Sequence, residues 1–359
     1  MLLSYSSSVF TTFLYGLSLI AQYQAVGDGP RNGTVIIANG NVLSSNQNKL
    51  TLNANSSEVN PNEDEYFKNL MENLNYLKKN VRLEPQEMPD SRAFEMPSQL
   101  KVSDVQTSKY YARLAGAAYC KDANLKAWSC SHCKEIPVQH VGTYLDTLTQ
   151  TKAYLAIDKI KKAITLGFRG SSTLRNFIQD AKFFKDPIVF DKKQYKVHRG
   201  FKQCSERVLP LYINDLKTLL NKYNDYKLVI VGHSLGGAIA TLSTLILRQN
   251  LNLKDDRLAV FTFGEPRVGD KEFARYFNKQ TFTFARVVNN NDIVPHLPPK
   301  IKLISDYHHH HNEIWVNGSK DVYCNDNYLE DPSCSASKWY TPSVLDHLEI
   351  WGITLGGLC

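Results

Sequence analysis

Between residues 66 and 81, Tyr66, Phe67, Leu70, Met71, Leu74, Leu77 and Val81 recur at helical spacing, with Pro61 ahead as a start signal. This predicts one amphipathic helix. Residues 26–62 before it are rich in Asn and Ser with few aromatics, a composition that cannot bury enough apolar surface to fold alone. Pro85, Pro89 and Pro97 then mark a boundary near residues 85–98. From about residue 100 the texture is that of a packed domain. Residues 105–119 have helical periodicity, and 154–157 and 163–168 read as strands joined by a charged turn at 158–162. Residues 207–223 predict a helix with Pro210 near its start, 226–231 (YKLVIV) a buried strand and 235–247 a helix; further strands fall at 258–263 and 282–288. Strands alternating with helices predict an α/β fold on a mostly parallel sheet flanked by helices.

Residues 9–21 (VFTTFLYGLSLIA) form an apolar run shorter than the ~18 residues of a membrane-spanning helix and close to a signal-peptide core. Residues 1–8 carry no Lys or Arg, a departure from the usual charged start. The expected layout is a signal peptide at 1–25, a propeptide at 26–93 that is largely disordered apart from its one helix, and a catalytic domain at 94–359. Secretion is therefore expected, and the sequons at Asn32, Asn55 and Asn317 are compatible with it. An apolar share of 43% with 21% charged residues fits a globular protein with a sizeable core. The net charge of +7 comes without an arginine-rich stripe or nucleic-acid motif, so no nucleic-acid partner is expected. All seven cysteines lie at or beyond Cys120; in an oxidising compartment disulfides are their default fate, and the odd count leaves one over.

Gly232-His233-Ser234-Leu235-Gly236 matches G-x-S-x-G, directly after the strand YKLVIV and opening the small-residue helix LGGAIATL. That is the strand–turn–helix setting of a nucleophile elbow, in which glycines let strand and helix approach while the serine takes strained torsions. Ser234 is the expected nucleophile, and the backbone N–H of Leu235 an expected oxyanion donor at the helix N-terminus. His233, adjacent to it in the chain, reads as structural. In this fold an acid and then a histidine follow the serine. Asp292 lies on the turn Asn289-Asn290-Asn291-Asp292 after a later strand, and His347 lies near the C-terminus, where a last loop can return. His296, four residues past the acid, reads as support of the same loop. The run His308–His311 suggests metal only by composition, because consecutive histidines do not share a face. Neither a metal nor a cofactor is expected.

At these motifs the chain from about residue 95 to 359 resembles the secreted fungal triacylglycerol lipases of the Rhizomucor and Rhizopus type, class 3 lipases with the α/β-hydrolase fold. The matching stretches are GFRGSS (167–172), VHRGF (197–201), VGHSLGGA (231–238), PRVGD (266–270), NDIVPHLPP (291–299), SVLDHL (343–348) and the closing GLC (357–359). The resemblance implies the same Ser234, Asp292 and His347, and adds Ser171 as the second oxyanion donor. Glu265 stands where glutamine is expected, and His309 matches a histidine ahead of the E-x-W segment. Leu174, Phe177, Ile178 and Ala181 follow i, i+3, i+4, i+7 with polar residues between, a short amphipathic helix. A core helix is the plain reading; the resemblance implies a mobile lid, with Asp180 supporting Ser171 once it opens and Val294 and Leu348 in the acyl groove. It also implies the pairs Cys120–Cys359, Cys130–Cys133 and Cys324–Cys334, leaving Cys204 free.

The activity expected is hydrolysis of emulsified triacylglycerol at a lipid–water interface, with no obligate protein partner. Rivals on the same fold are a cell-wall esterase of feruloyl type and a phospholipid esterase. A rival of another class is a non-catalytic secreted binding protein on a hydrolase scaffold.

Overall fold

In the computed structural model the described residues are 20–21, 35–38, 41–44, 104–134, 136–171, 183–300, 305–338 and 343–356. Contacts divide the chain into two compact units, Met1–Arg82 with Thr173–Ala181, and Leu83–Ser172 with Lys182–Cys359. The described part of the smaller unit is an antiparallel sheet of β1 (Ile20–Ala21), β2 (Val35–Ala38) and β3 (Asn41–Ser44). β2 and β3 pair from Val35 opposite Ser44 to Ala38 opposite Asn41, around the dipeptide Asn39-Gly40 that tight hairpins favour. Paired strands thus occur where composition argued against folding alone. The expected helix at 66–81 and the lid residues Leu174, Phe177, Ile178 and Asp180 lie outside the described residues.

The described part of the larger unit begins with α1 (Val105–Ala117), whose N-cap Asp104 accepts from Thr107 N–H at 2.7 Å, and the short α2 (Asp122–Lys126). Its sheet contains β4 (Val138–Asp146), β5 (Thr151–Asp158), β6 (Ala163–Phe168), β9 (Lys227–His233), β10 (Leu258–Phe263), β11 (Thr283–Asn289), β12 (Glu313–Asn317) and β13 (Lys320–Tyr323). Their order is β13-β12-β11-β10-β9-β6-β5-β4. The pairs from β6 to β12 are parallel, whereas β4–β5, β5–β6 and β12–β13 are antiparallel. The expected mostly parallel sheet therefore forms the centre; of the antiparallel pairs at its ends, the sequence pattern shows β5–β6 as a hairpin but not β4 or β13. Val229, Val231, Phe261, Phe263 and Val287 share one core with Tyr111 and Leu114 of α1. The alternate positions Leu228, Ile230, Val260 and Phe284 are buried too, as parallel strands covered on both faces require.

A hairpin of β7 (Lys185–Phe190) and β8 (Lys193–His198) leads into α3 (Arg199–Lys222). This helix starts eight residues before the expected 207. The reason is a cap: His198 Nδ1 accepts from the N–H groups of Gly200 and Phe201, and Phe201, Cys204, Ser205 and Val208 continue the buried face upstream. Pro210 consequently sits inside the helix, on an exposed position beside exposed Glu206, where solvent can take the carbonyl that proline leaves without a partner. The hairpin at 158–162 closes as expected, with Asp158 Oδ1 accepting from Ile160 and Lys161 N–H. Among the described residues, no helix is long and apolar enough to cross a membrane.

Candidate active site

β9 ends at His233, and α4 (Leu235–Asn250) begins two residues later. Ser234 between them has φ 58° and ψ −130°, a strained conformation for a residue with a side chain, worth on the order of 1–3 kcal/mol. The surroundings impose it. Ser234 N–H donates to Phe263 O of β10 at 2.9 Å. A Cβ on Gly232 would meet the Gly236 carbonyl, and one on Gly236 the Phe168 carbonyl, so neither position tolerates a side chain. The first helical bond reaching back to the turn is Gly237 N–H to Ser234 O at 2.9 Å. The N–H groups of Leu235 and Gly236 precede it, at the positive end of the helix.

β11 ends at Asn289, and three residues on Asp292 is wholly buried. Its Oδ1 and Oδ2 lie 2.9 and 2.8 Å from His347 Nδ1, and Val294 N–H donates to Oδ1 at 2.9 Å. The loop carrying His347 is stitched to the acid turn by its own polar groups. Ser343 N–H donates to Asn291 O at 2.9 Å, and Asn289 Nδ2 reaches the carbonyls of Asp346 and Glu349 at 3.1 and 2.7 Å. Gly264 packs beneath both: at φ +55°, a Cβ there would stand 2.7 Å from Asp292 Oδ2 and 2.8 Å from the His347 ring. With Nδ1 facing a carboxylate, that nitrogen carries the proton, and Nε2 keeps its lone pair. His347 Nε2 and Ser234 Oγ are both buried without a hydrogen-bond partner, and no hydrogen bond joins them. Such bonds are often long in an unliganded site.

Other expected residues fall as follows. Val294 is buried, with its N–H on the acid, while Leu348 is partly exposed and pairs with Leu355 through its carbonyl at 2.7 Å. Ser171 ends the described segment that follows β6 and is partly exposed. Cys130–Cys133 and Cys324–Cys334 are bonded, Cys204 is free and buried, and Cys120 is disulfide-bonded. Its expected partner Cys359 lies outside the described residues. The His308–His311 run disperses. His308 Nδ1 faces Asp306, His309 Nε2 donates to Pro295 O at 2.7 Å, and His310 Nε2 faces Glu265 Oε2 at 3.2 Å. The metal-like grouping found among the described residues, Glu313 with Cys324 and Cys334, has its two sulfurs tied to each other, so neither is a thiolate ligand.

Several residues support the site through contacts that the sequence did not show. Arg267 pairs with Glu330 through two bonds of 2.8 and 2.7 Å and holds the carbonyls of His296 and Pro298, fixing the chain that follows the acid. Glu265 is buried and accepts from Thr241 and Thr262 at 2.6 and 2.5 Å. Burial holds the His309 pKa well below the usual histidine value, with Arg286 adding to the effect. Burial, with His347 adding to it, does the same for His233.

Comparison with known proteins agrees with this architecture. The family model of class 3 lipases matches residues 165–302. A lipase of Rhizomucor miehei is 35% identical over 262 residues, 71% of this chain and 70% of that protein. A secreted mono- and diacylglycerol lipase of Fusarium solani is 32% identical over 60% of this chain and 64% of that protein. The solved Rhizomucor miehei lipase propeptide complex superposes with a TM-score of 0.64 at 35% identity, covering 72% of this chain and 84% of that one.

Proposed function

The chain belongs to the class 3 lipase family, with the α/β-hydrolase fold, and from that membership we propose a secreted triacylglycerol lipase acting through Ser234, His347 and Asp292. The observation that carries the roles is the burial of Ser234 on a strained elbow at a helix N-terminus, with the His347–Asp292 pair at 2.8 Å in the same core. His347 Nε2 takes the Ser234 proton as Oγ attacks the ester carbonyl. Asp292 accepts from Nδ1–H, keeping the ring in the tautomer whose free lone pair is on Nε2, and stabilises the imidazolium. The N–H of Leu235 and the backbone and hydroxyl of Ser171 receive the oxyanion, each donor being worth about 3 kcal/mol. The alcohol departs with the proton from His347; water then releases the acid from the acyl-enzyme by the same path.

The substrate is a lipid at its interface with water. Leu174, Phe177 and Ile178 cover the site in water and open against lipid, Asp180 supports Ser171 in the open form, and Val294 and Leu348 border the acyl groove. Residues 1–25 direct secretion, 26–93 form a propeptide and 94–359 the enzyme; a secreted relative and a relative solved with its propeptide support this layout. The name of the Fusarium solani relative favours one second reading, a preference for partial glycerides. Initial rates on triolein, diolein, phosphatidylcholine and methyl ferulate, each with wild type and Ser234→Ala, test both. Triolein turnover lost by about 10⁴–10⁶-fold in folded Ser234→Ala is expected. Retained turnover would remove the assignment, and hydrolysis confined to diolein would favour the second reading.

A further inference from the structure

We infer that Tyr119 and His233 are positioning residues whose single hydrogen-bonded chain ties the histidine loop to the nucleophile elbow and sets the Tyr119 hydroxyl against the oxyanion loop. The inference rests on the reading of Ser234, His347 and Ser171 given above. Its geometry lies in groups that the reaction itself does not use. His233 is 1% exposed, its Nε2 lies 2.8 Å from the backbone carbonyl of His347, and its Nδ1 lies 2.8 Å from the Tyr119 hydroxyl. The Tyr119 hydroxyl in turn packs against Gly170, immediately before Ser171: a Cβ there would meet its oxygen.

Chemistry allows only one direction along this chain. A carbonyl accepts and never donates, so His233 Nε2 carries a proton. Burial and the neighbouring His347 ring, 4.4 Å between centroids, disfavour a second proton. Nδ1 is therefore an acceptor, and the Tyr119 hydroxyl must donate to it. Burial also raises the Tyr119 pKa, so the hydroxyl keeps its proton. The result is Tyr119 O–H to His233 Nδ1 and His233 Nε2–H to His347 O, with the Tyr119 hydroxyl held against Gly170.

Each end of the chain fixes something catalysis needs. At one end the Tyr119 hydroxyl packs on Gly170, and so bears on the backbone that carries the next N–H, that of Ser171. At the other the main chain of His347 is held while its ring is held separately by Asp292. The middle member is bonded covalently to Ser234. Oxyanion donors act on the transition state far more than on the bound ester, so disorder in their loop lowers kcat and leaves KM nearly unchanged.

The test uses a soluble ester, p-nitrophenyl butyrate, so that interfacial effects do not enter, and butylboronic acid as a tetrahedral mimic formed on Ser234. Tyr119→Phe keeps the ring and removes the donor. His233→Gln keeps a donor near the Nε2 position and loses the acceptor for Tyr119; His233→Asn does the reverse. Tyr119→Phe and His233→Gln are expected to lower kcat by about 10–100-fold with KM within about twofold, and to weaken boronate binding by the same factor as kcat/KM. The double variant should be no worse than either single one, because all break one link. His233→Asn should keep the boronate affinity closer to wild type while slowing acylation through the released His347 loop. Wild-type kcat in both Tyr119→Phe and His233→Gln, a loss that appears in KM, or additive losses in the double variant would each overturn the chain. Activity surviving in Ser234→Ala would instead overturn the reading on which it rests.

Discussion

Glu330→Gln is expected to damage this protein more than any nearby surface change. Glu330 and Arg267 are 8% and 6% exposed, and they meet through bonds of 2.8 and 2.7 Å; Glu330 also accepts from His309 N–H at 3.1 Å. The amide would keep the shape and one acceptor but turn an NH₂ donor toward a guanidinium that has nothing to accept with. Leaving one partner of a buried pair uncompensated costs roughly 3–5 kcal/mol. At about 2–4 °C per kcal/mol for a domain of this size, the unfolding midpoint falls by about 6–20 °C. Arg267 Nη1 holds the His296 and Pro298 carbonyls at 2.5 and 2.9 Å, and Arg267 N–H holds Leu297 O at 2.7 Å. The chain just after Asp292 should therefore loosen, and kcat should fall before the protein melts. Calorimetry on Glu330→Gln, Arg267→Met and the double variant measures the coupling. The double variant should cost less than the two singles added, since it leaves no lone charge. Burial alone would raise the Glu330 carboxyl, but Arg267 and Lys300 bring it well below the usual range. Its stabilisation is thus present above about pH 4.3 and is lost only as pH falls through the lower folded value. A midpoint shift under about 2 °C at neutral pH with unchanged kcat, or full additivity, would refute the argument.

Acid should weaken the fold earlier, through histidines. Burial lowers His198 to about 4 and His233 and His309 well below their usual value, so the unfolded chain binds protons that the fold refuses. Stability then falls as pH drops below about 6.5, by up to about 1.4 kcal/mol per unit for each histidine, with the His198 share complete near pH 4. Unfolding midpoints from pH 7.5 to 5 check this: His198→Asn, which retains a capping acceptor, should flatten the slope, and an unchanged slope would exclude His198 as a contributor. Turnover of tributyrin should rise as substrate passes its solubility limit, since in the proposed lid Leu174, Phe177 and Ile178, at about 1.5–3 kcal/mol each, would favour closure in water; Leu174→Ser with Phe177→Ser should flatten that rise, and a curve saturating below the limit would argue against a lid. Residues 66–81 place seven large apolar side chains at helical spacing; under the proposed propeptide role, a chain beginning at residue 26 should hydrolyse triolein more slowly than one beginning near 92. Equal rates and equal interfacial binding would leave the leader only a folding or sorting role.

Local signals made much of this legible. The elbow shows in the sequence because strand, glycines and small-residue helix are contiguous, and the acid follows because its turn comes directly after a strand. The pairing of Asp292 with His347 across 55 positions rests on chain order and resemblance, and the structure joins them through the Ser343 backbone N–H and the Asn289 side-chain amide, which no periodicity announces. β12 holds Ile314, Trp315 and Val316 in a row and β13 only Val322 and Tyr323, so these short strands show no alternation. The early start of α3 was hidden because histidine is an unusual cap; its acceptor nitrogen does what serine or aspartate does elsewhere. Tyr119 lay at the end of a predicted helix like any core aromatic, and only its contact with His233 distinguishes it.

The ionic residues packed near the acid turn raise a question of economy. Arg267–Glu330 and Arg286–Glu313 are both nearly buried, and well-packed apolar residues of similar volume would often be neutral or more stable in their place. Apolar groups cannot hold carbonyls, however. Arg267 grips two in the chain after Asp292, Glu330 and Glu313 accept backbone N–H groups of His309 and Ser335, and His309 grips Pro295 O. Each is a tether on irregular backbone that lies between strands and has no sheet partner of its own. Irregular backbone inside a fold must find hydrogen bonds somewhere, and a charged side chain offers several in fixed directions. The cost of burying these charges is thus the cost of holding loops still where helices and strands cannot reach. Apolar substitution at Arg286–Glu313 should then spare stability while loosening the 310–313 segment, which slower hydrogen exchange at Asn312 N–H in the variant would contradict.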